Sequence, residues 1–128
     1  MPGLDLQVVA GEFAVCRLPA AASVPAWAGS AVFSSITRTA DELSIMCPAA
    51  QVPAGVKHEA GWRLLKFAGP FDFGVVGILA AVATPLAAAA ISSLAVATFD
   101  TDYLLVKADR LDAVMQALTA AGHTVRRS

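Results

Sequence analysis

Charged residues are scarce in this sequence, and their scarcity excludes one large class of partners. Only 15% of the 128 residues are charged, and the formal net charge is −1, so there is no basic excess. A protein that follows a nucleic-acid backbone needs clustered Lys and Arg to neutralise phosphates. We therefore expect no nucleic-acid partner.

Cysteine and histidine are rare, with two residues of each type. Cys16 and Cys47 fit no metal or redox spacing and lie in apolar, strand-like runs, so we interpret them as buried, reduced thiols of a cytoplasmic protein. His58 and His123 have no partner at a ligand-like spacing, and we interpret both as surface residues. We expect no metal site, no cofactor and no catalytic residue, since no nucleophile–base pair or phosphate-binding glycine motif is visible either.

Apolar residues, by contrast, are abundant: they make up 57% of the chain, and the mean hydropathy is +0.66. The longest run without charge lies between Asp72 and Asp100, and its length would suit a membrane span. However, Pro85 lies within it, and the apolar period changes from helical to twofold after Ile91. We interpret the run as a buried helix followed by a strand, with no membrane partner. The N-terminal residues also lack the pattern of a signal peptide.

Residues 62–127 show the pattern strand, helix, strand, strand, helix, strand. Asp72 is placed to cap the first helix and Asp109 the second, and Gly122 is placed to end the second in a left-handed conformation. Pro85 leaves the carbonyl of Ala81 without its helical N–H donor. The predicted apolar face of the first helix comprises Val75, Val76, Leu79, Val82, Ala83 and Leu86. This order of elements is the ferredoxin-like unit, in which two helices pack on one face of an antiparallel sheet.

The first half is rich in strands and poor in helix. Asp5–Val9 and Glu12–Leu18 predict one hairpin around Ala10-Gly11, and residues 32–38 and 42–47 predict another. The composition of residues 48–55 predicts a linker. The segments AVFSSITRTADELSIMC and AAISSLAVATFDTDYLLVK share a strand with two serines, an acidic turn and a partner strand, which indicates a degenerate duplication.

Several segments resemble small bacterial ACT-domain proteins, which are related to the ACT domains of CASTOR-type arginine sensors. They are FSSITRTADELSIMCP, GWRLLKFAGPFDFGVVGILAAVATPLAAAAIS, AVATFDTDYLLVK and LTAAGH, and together they span residues 32–123. The most specific element pairs the GPxDF helix start with the TFDTDYLLVK hairpin. The resemblance implies an α+β, ferredoxin-like fold: an incomplete, strand-rich, ACT-like half at residues 1–57 and a complete βαββαβ ACT domain at residues 58–128, in one compact unit.

The resemblance also implies a ligand niche between the start of the first helix and the turn after the second strand. Its residues are Phe71, Asp72, Phe73, Thr98, Phe99, Asp100, Thr101 and Asp102. Helix N-terminal amides suit a carboxylate, and an aspartate suits an ammonium; by family resemblance that aspartate is Asp102, with Asp100 as the alternate. The residues also allow structural roles: a helix cap for Asp72, turn residues for both aspartates, and core positions for Phe73 and Phe99.

As a function, the resemblance implies a non-enzymatic regulatory protein that binds a small molecule, usually an amino acid, at an interface between two ACT copies. We expect a homodimer. The alternative is a structural or protein-interaction module that dimerises or docks on a partner without binding a ligand.

Overall fold

The computed structural model describes residues 3–127, which form seven strands and two α-helices, with three short 3-10 turns. The strands are β1 Asp5–Leu18, β2 Ser35–Arg38, β3 Leu43–Pro48, β4 Lys57–Phe67, β5 Ser93–Ala97, β6 Asp102–Lys107 and β7 Thr124–Arg127; the helices are α1 Ile78–Ala88 and α2 Leu111–Ala120. The chain divides into two compact units. The helical unit contains the residues up to Ala10 and those from Arg63 onward, and the strand unit is Gly11–Trp62.

The helical unit has the predicted α+β, ferredoxin-like character. Its strands lie in the order β7, β1, β4, β6, β5, and both α-helices belong to it. Along β1, Leu6 and Val8 are buried while Asp5 and Gln7 are exposed, as expected for a strand with one covered face. The core that the helices and sheet share comprises Leu6, Val8, Leu65, Phe67, Ile78, Val82, Leu86, Ile91, Leu104, Val106, Leu111, Val114 and Leu118.

The N-terminal hairpin predicted at Ala10-Gly11 is wrong, because β1 is a single strand of 14 residues. Its first part pairs in parallel with β7 at residues 5–8, and its second part pairs antiparallel with β3 at residues 13–18. Because each part has its own partner strand, the chain continues forward instead of reversing. Gly11, at φ +95°, supplies the left-handed backbone where the partners change. The start of β1 thereby lies between β7 and β4.

The strand unit contains the second predicted hairpin, which the structure confirms. β2 pairs with β3, and the Thr39 N–H donates to the Glu42 carbonyl across the turn at 2.9 Å. Leu43, Ile45 and Cys47 are buried on one face of β3, as their alternation predicts. Both cysteines are buried and unbridged, which confirms that part of their interpretation.

Helix α1 begins at Ile78, so the prediction that Asp72 caps it is wrong. Gly77 precedes the helix at φ +85°, a left-handed conformation that interrupts the helix on its N-terminal side, and the adjacent β-branched residues before it are weak helix formers. The predicted apolar face is also partly wrong. Ile78, Val82 and Leu86 are buried, while Val75, Val76 and Leu79 are exposed.

The uncharged run is thus divided between an 11-residue helix and a strand. Within residues 3–127, no helix is both long and apolar enough to cross a membrane.

Helix α2 begins differently from the prediction and ends as predicted. Asp109 lies in a 3-10 turn, Ala108–Arg110, and no side chain of the described residues caps the helix, because this extra turn precedes its first residue. At the other end, Gly122 adopts φ +95°, and the His123 N–H donates to the Leu118 carbonyl at 3.0 Å, which is the Schellman arrangement.

His123 is buried, with only 7% of its surface exposed, so its interpretation as a surface residue is wrong. Its Nδ1 accepts a hydrogen bond from the Leu4 N–H at 3.0 Å, and its Nε2 lies 2.8 Å from the Ala81 carbonyl oxygen. Two backbone groups that need a partner therefore hold the ring inside the helical unit. His58, by contrast, is exposed as predicted, although it lies in β4 and not in a linker.

Candidate functional site

A cavity of about 290 Å³ lies in the helical unit, between the loop before α1 and the β5–β6 turn. The structure brings all eight predicted niche residues together in its wall: Phe71, Asp72, Phe73, Thr98, Phe99, Asp100, Thr101 and Asp102. Their assignment as ligand contacts stays a prediction. The cavity is also lined by Gly77, Ile78 and Leu79, which the sequence prediction missed because it placed the start of α1 several residues too early.

One wall of the cavity is the N-terminal end of α1. The first helical hydrogen bond runs from the Ala81 N–H to the Gly77 carbonyl at 2.9 Å, so the N–H groups of Ile78 and Leu79 have no acceptor within the helix. Among residues 3–127, no side chain caps this end. Because unsatisfied N–H groups carry the positive end of the helix dipole, this wall favours an anion.

The loop before α1 is tied to the opposite turn through its backbone. The Phe71 N–H donates to the Asp100 carbonyl at 2.7 Å, and the Val75 N–H donates to the Asp72 carbonyl at 3.1 Å. Asp72 therefore closes a backbone turn and leaves its side chain exposed. Gly69 also lies against the β5–β6 turn, since a Cβ atom placed there would be 2.9 Å from the Asp100 carbonyl oxygen.

The two threonines of the β5–β6 turn are occupied by the turn itself. The Thr98 N–H and hydroxyl both donate to the Thr101 carbonyl, at 2.8 and 2.9 Å. The Thr101 side chain is buried, and its hydroxyl donates to the Phe67 carbonyl at 2.7 Å. These bonds fix the shape of the wall.

The two aspartates differ in burial. Asp102 is the first residue of β6, is half-buried and pairs with Ala97, whereas Asp100 is exposed at the tip of the turn. Neither carboxylate makes an ion pair or a side-chain hydrogen bond with any residue in the described part of the chain. The cavity thus has a positive helix end on one wall and an uncompensated, half-buried carboxylate on another.

Two aromatic rings stand beside the cavity. Phe73 is 77% exposed and Phe99 is 78% exposed, and the rings meet edge to face with centroids 5.0 Å apart. The interpretation of both as core residues is therefore wrong. Phe71, by contrast, packs against the main core. The two rings form an exposed apolar surface, called here the phenylalanine patch.

Among residues 3–127, no group of three or more His, Cys, Asp or Glu side chains is arranged to hold a metal ion.

Two family models match separate parts of the chain. A family model for the ACT domain matches residues 57–120, and a model for an N-terminal domain matches residues 11–55. The human protein described as subunit 1 of a cytosolic arginine sensor for mTORC1 is 41% identical over 58 residues, which is 44% of this chain. The match covers only 18% of the sensor's length.

Similarity to solved structures extends over nearly the whole chain. A crystal structure of a protein from Agrobacterium tumefaciens is 40% identical with a TM-score of 0.95, and the match covers 100% of this chain and 96% of the other. The regulatory subunit of aspartate kinase from Thermus flavus has a TM-score of 0.57 at 9% identity, covering 93% and 96% of the two chains. At that identity the similarity concerns the fold alone.

The fold and the cavity define the class: a ferredoxin-like α+β module with a small cavity between a helix start and a strand turn. The ACT-domain model that matches residues 57–120, and the Agrobacterium tumefaciens protein that covers the whole chain, identify the family. The chain belongs to the ACT-domain family.

Proposed function

We propose that this protein is a non-catalytic regulatory ACT-domain protein that binds an amino acid in the cavity at the start of α1. The main supporting observation is that two complementary groups line this cavity. One is the uncapped N-terminus of α1, and the other is Asp102, a half-buried carboxylate with no ion-pair or hydrogen-bond partner for its side chain among residues 3–127. A free amino acid presents an anion and a cation, and these two walls complement both. The volume of about 290 Å³ lies near the small end of the range for ligand pockets, roughly 300–1,000 Å³.

Each wall has its own role in this proposal. The ligand carboxylate accepts from the N–H groups of Ile78 and Leu79, and its ammonium donates to Asp102, with Asp100 as the alternate. The ligand side chain points to Phe73 and Phe99. The name of the arginine sensor supports an amino acid as the ligand class, and a screen decides which amino acid binds.

The proposal includes a homodimer, in which a second copy of the chain covers the phenylalanine patch. The phenylalanine patch exposes large apolar side chains beside the cavity, and burial of such side chains is favourable, at roughly 25 cal/mol per Å² of apolar surface. In a homodimer that covers the patch, the ligand lies at the interface between copies. Binding then shifts the association or the conformation of the pair.

The test is a thermal-shift screen of the purified protein against the twenty amino acids, with size-exclusion chromatography of the hits. A ligand that binds only the folded state raises the melting temperature. We expect Asp102→Asn to raise the Kd of the hit about tenfold to a hundredfold, since a hydrogen bond to a charged group contributes about 1.5–3 kcal/mol. The matched control is Asp109→Asn, because Asp109 is an exposed carboxylate without a capping role. Unchanged affinity in Asp102→Asn would refute the ammonium contact at Asp102.

The phenylalanine patch supports a second candidate, an interaction module that dimerises or docks on a partner without a ligand. This candidate predicts that no amino acid raises the melting temperature in the screen and that the protein is a dimer at all ligand concentrations. It also predicts that Phe73→Ser with Phe99→Ser yields a folded monomer. A reproducible stabilisation by one or two related amino acids would refute this second candidate.

A further inference from the structure

The helical unit contains a second, larger cavity of about 590 Å³, called here the sheet groove. It lies on the sheet face that the helices leave open. Gln7, Lys66 and Arg126 line it, and each alternates along its strand with residues that face the helical core. The volume is within the range typical of ligand pockets, roughly 300–1,000 Å³.

Charged side chains of both signs line the sheet groove. Lys66 and Arg126 supply cations, and Asp5 and Asp100 supply carboxylates. All four residues are exposed, and none makes an ion pair or a side-chain hydrogen bond with any residue between 3 and 127. The next residue, Arg127, behaves differently, since it pairs with the Asp112 carboxylate at 2.8 Å. The charges of the groove thus remain available to a ligand.

The strand register separates the positive and negative groups. Arg126 on β7 pairs directly with Gln7 on β1, and Lys66 follows on β4, the next strand. Neighbouring strands lie about 4.8 Å apart, so Lys66 and Arg126 start about 10 Å from each other on either side of Gln7. Asp5 lies two residues from Gln7 along β1, a distance of about 7 Å. At that end the Ala68 N–H donates to the Asp5 carbonyl at 2.8 Å.

We propose that the sheet groove is a second binding site, for a zwitterion about as long as a dipeptide. Its carboxylate lies toward Lys66 and Arg126, and its ammonium lies toward Asp5 and Asp100. In a free α-amino acid the ammonium and the carboxylate are attached to the same carbon atom and lie close together. In an extended dipeptide they lie at opposite ends of two residues, which span up to about 7 Å. The spacing of the groove charges therefore favours the longer ligand.

This proposal is independent of the amino-acid cavity, although the two sites share a wall. Thr98, Asp100 and Thr101 line both. Lys66 and Arg126 line only the sheet groove, while Asp102 lines only the smaller cavity. Variants at these positions therefore test the two sites separately.

The test is isothermal titration calorimetry of the full chain with a panel of unmodified dipeptides. The N-acetylated and C-amidated forms of the tightest binder follow. We expect saturable binding that weakens about tenfold or more when either terminus is blocked. Lys66→Ala and Arg126→Ala should each raise the Kd about tenfold to a hundredfold, because each removes a charge-assisted hydrogen bond. Arg127→Ala, the matched control, and Asp102→Asn should bind as the wild type does.

Three results would overturn the proposal: no saturable binding of any dipeptide to the folded wild type, unchanged affinity in the Lys66→Ala/Arg126→Ala double variant, or loss of binding in Asp102→Asn alone. The last result would place the peptide in the smaller cavity. Circular dichroism and thermal unfolding establish that each variant is folded. If an alanine variant does not fold, Lys66→Gln and Arg126→Gln remove the same charges with longer side chains, and the same outcomes apply to them.

Discussion

Replacing His123 with phenylalanine tests why a histidine is buried in the helical unit. Pro85 lies inside α1 and has no N–H, so the Ala81 carbonyl four residues earlier lacks its helical donor. The His123 ring lies 2.8 Å from that carbonyl through Nε2. Because the Leu4 N–H can only donate, Nδ1 must accept, and Nε2 therefore carries the proton that Ala81 accepts. The His123 ring thus replaces the donor that Pro85 removed.

The expected loss follows from these two bonds. Phenylalanine keeps the approximate shape of the ring but leaves the Leu4 N–H and the Ala81 carbonyl without their partner. An unsatisfied buried polar group costs about 1–3 kcal/mol. Both bonds are only partly buried, so we expect His123→Phe to lower the free energy of unfolding by about 2–4 kcal/mol in total.

The assay is urea denaturation monitored by circular dichroism, arranged as a double-mutant cycle with Pro85→Ala. Alanine at position 85 restores an N–H for the Ala81 carbonyl, so the penalty of His123→Phe should fall by about 1 kcal/mol in that background. His58→Ala is the matched control, because His58 is exposed, and it should change stability by no more than about 0.5 kcal/mol. Additive effects of the two substitutions would refute the compensation between His123 and Pro85. If His123→Phe lowers the free energy of unfolding by less than about 1 kcal/mol, the two hydrogen bonds of His123 do not stabilise the fold as argued.

Two further predictions concern stability. Ala90 lies two residues beyond the end of α1, at φ +58°, and the Ile91 N–H after it donates to the Leu86 carbonyl at 2.9 Å. Ala90→Gly should relieve backbone strain and raise the free energy of unfolding by about 0.5–1 kcal/mol in urea denaturation, and a loss of stability would contradict this. Burial, with a smaller contribution from the Cys47 thiol, raises the pKa of Cys16 from 9.0 to about 11. The unfolded chain therefore releases this proton first, so the stability that Cys16 contributes below pH 9 should fall by about 2–3 kcal/mol as the pH approaches 11. Cys16→Ala should reduce this dependence of the free energy of unfolding on pH, and the part due to Cys47, whose pKa burial also raises, should remain.

The correct predictions rest on local patterns. The alternation of Leu43, Ile45 and Cys47 needs only a strand with one buried face, and the Gly122 helix end needs only a residue that tolerates positive φ. The niche residues lie in two short segments that the family resemblance brings together, and the structure places both beside one cavity, while their role as ligand contacts stays a prediction. These features depend on neighbours in sequence or on a known topology, so the sequence was sufficient to predict them.

The errors share a different cause. Asp72 has the chemistry of a helix cap, and only the left-handed backbone at Gly77 moves the start of α1 to Ile78. Ala10-Gly11 has the composition of a hairpin turn, yet β1 continues through it because β7 and β3 each pair with one part of the strand. In both cases a backbone conformation or a distant partner overrode the local preference.

The sequence by itself determined the class of this protein: its α+β order of elements, its ACT-domain membership and the two segments that line the cavity. The tertiary structure alone decided which groups share an environment. It buried His123 against a carbonyl that Pro85 leaves without its donor, and it aligned Gln7 with Arg126 on adjacent strands. The physical reason is that periodicity and capping act over a few residues, whereas hydrogen-bond satisfaction and strand register here join residues 42 and 119 positions apart.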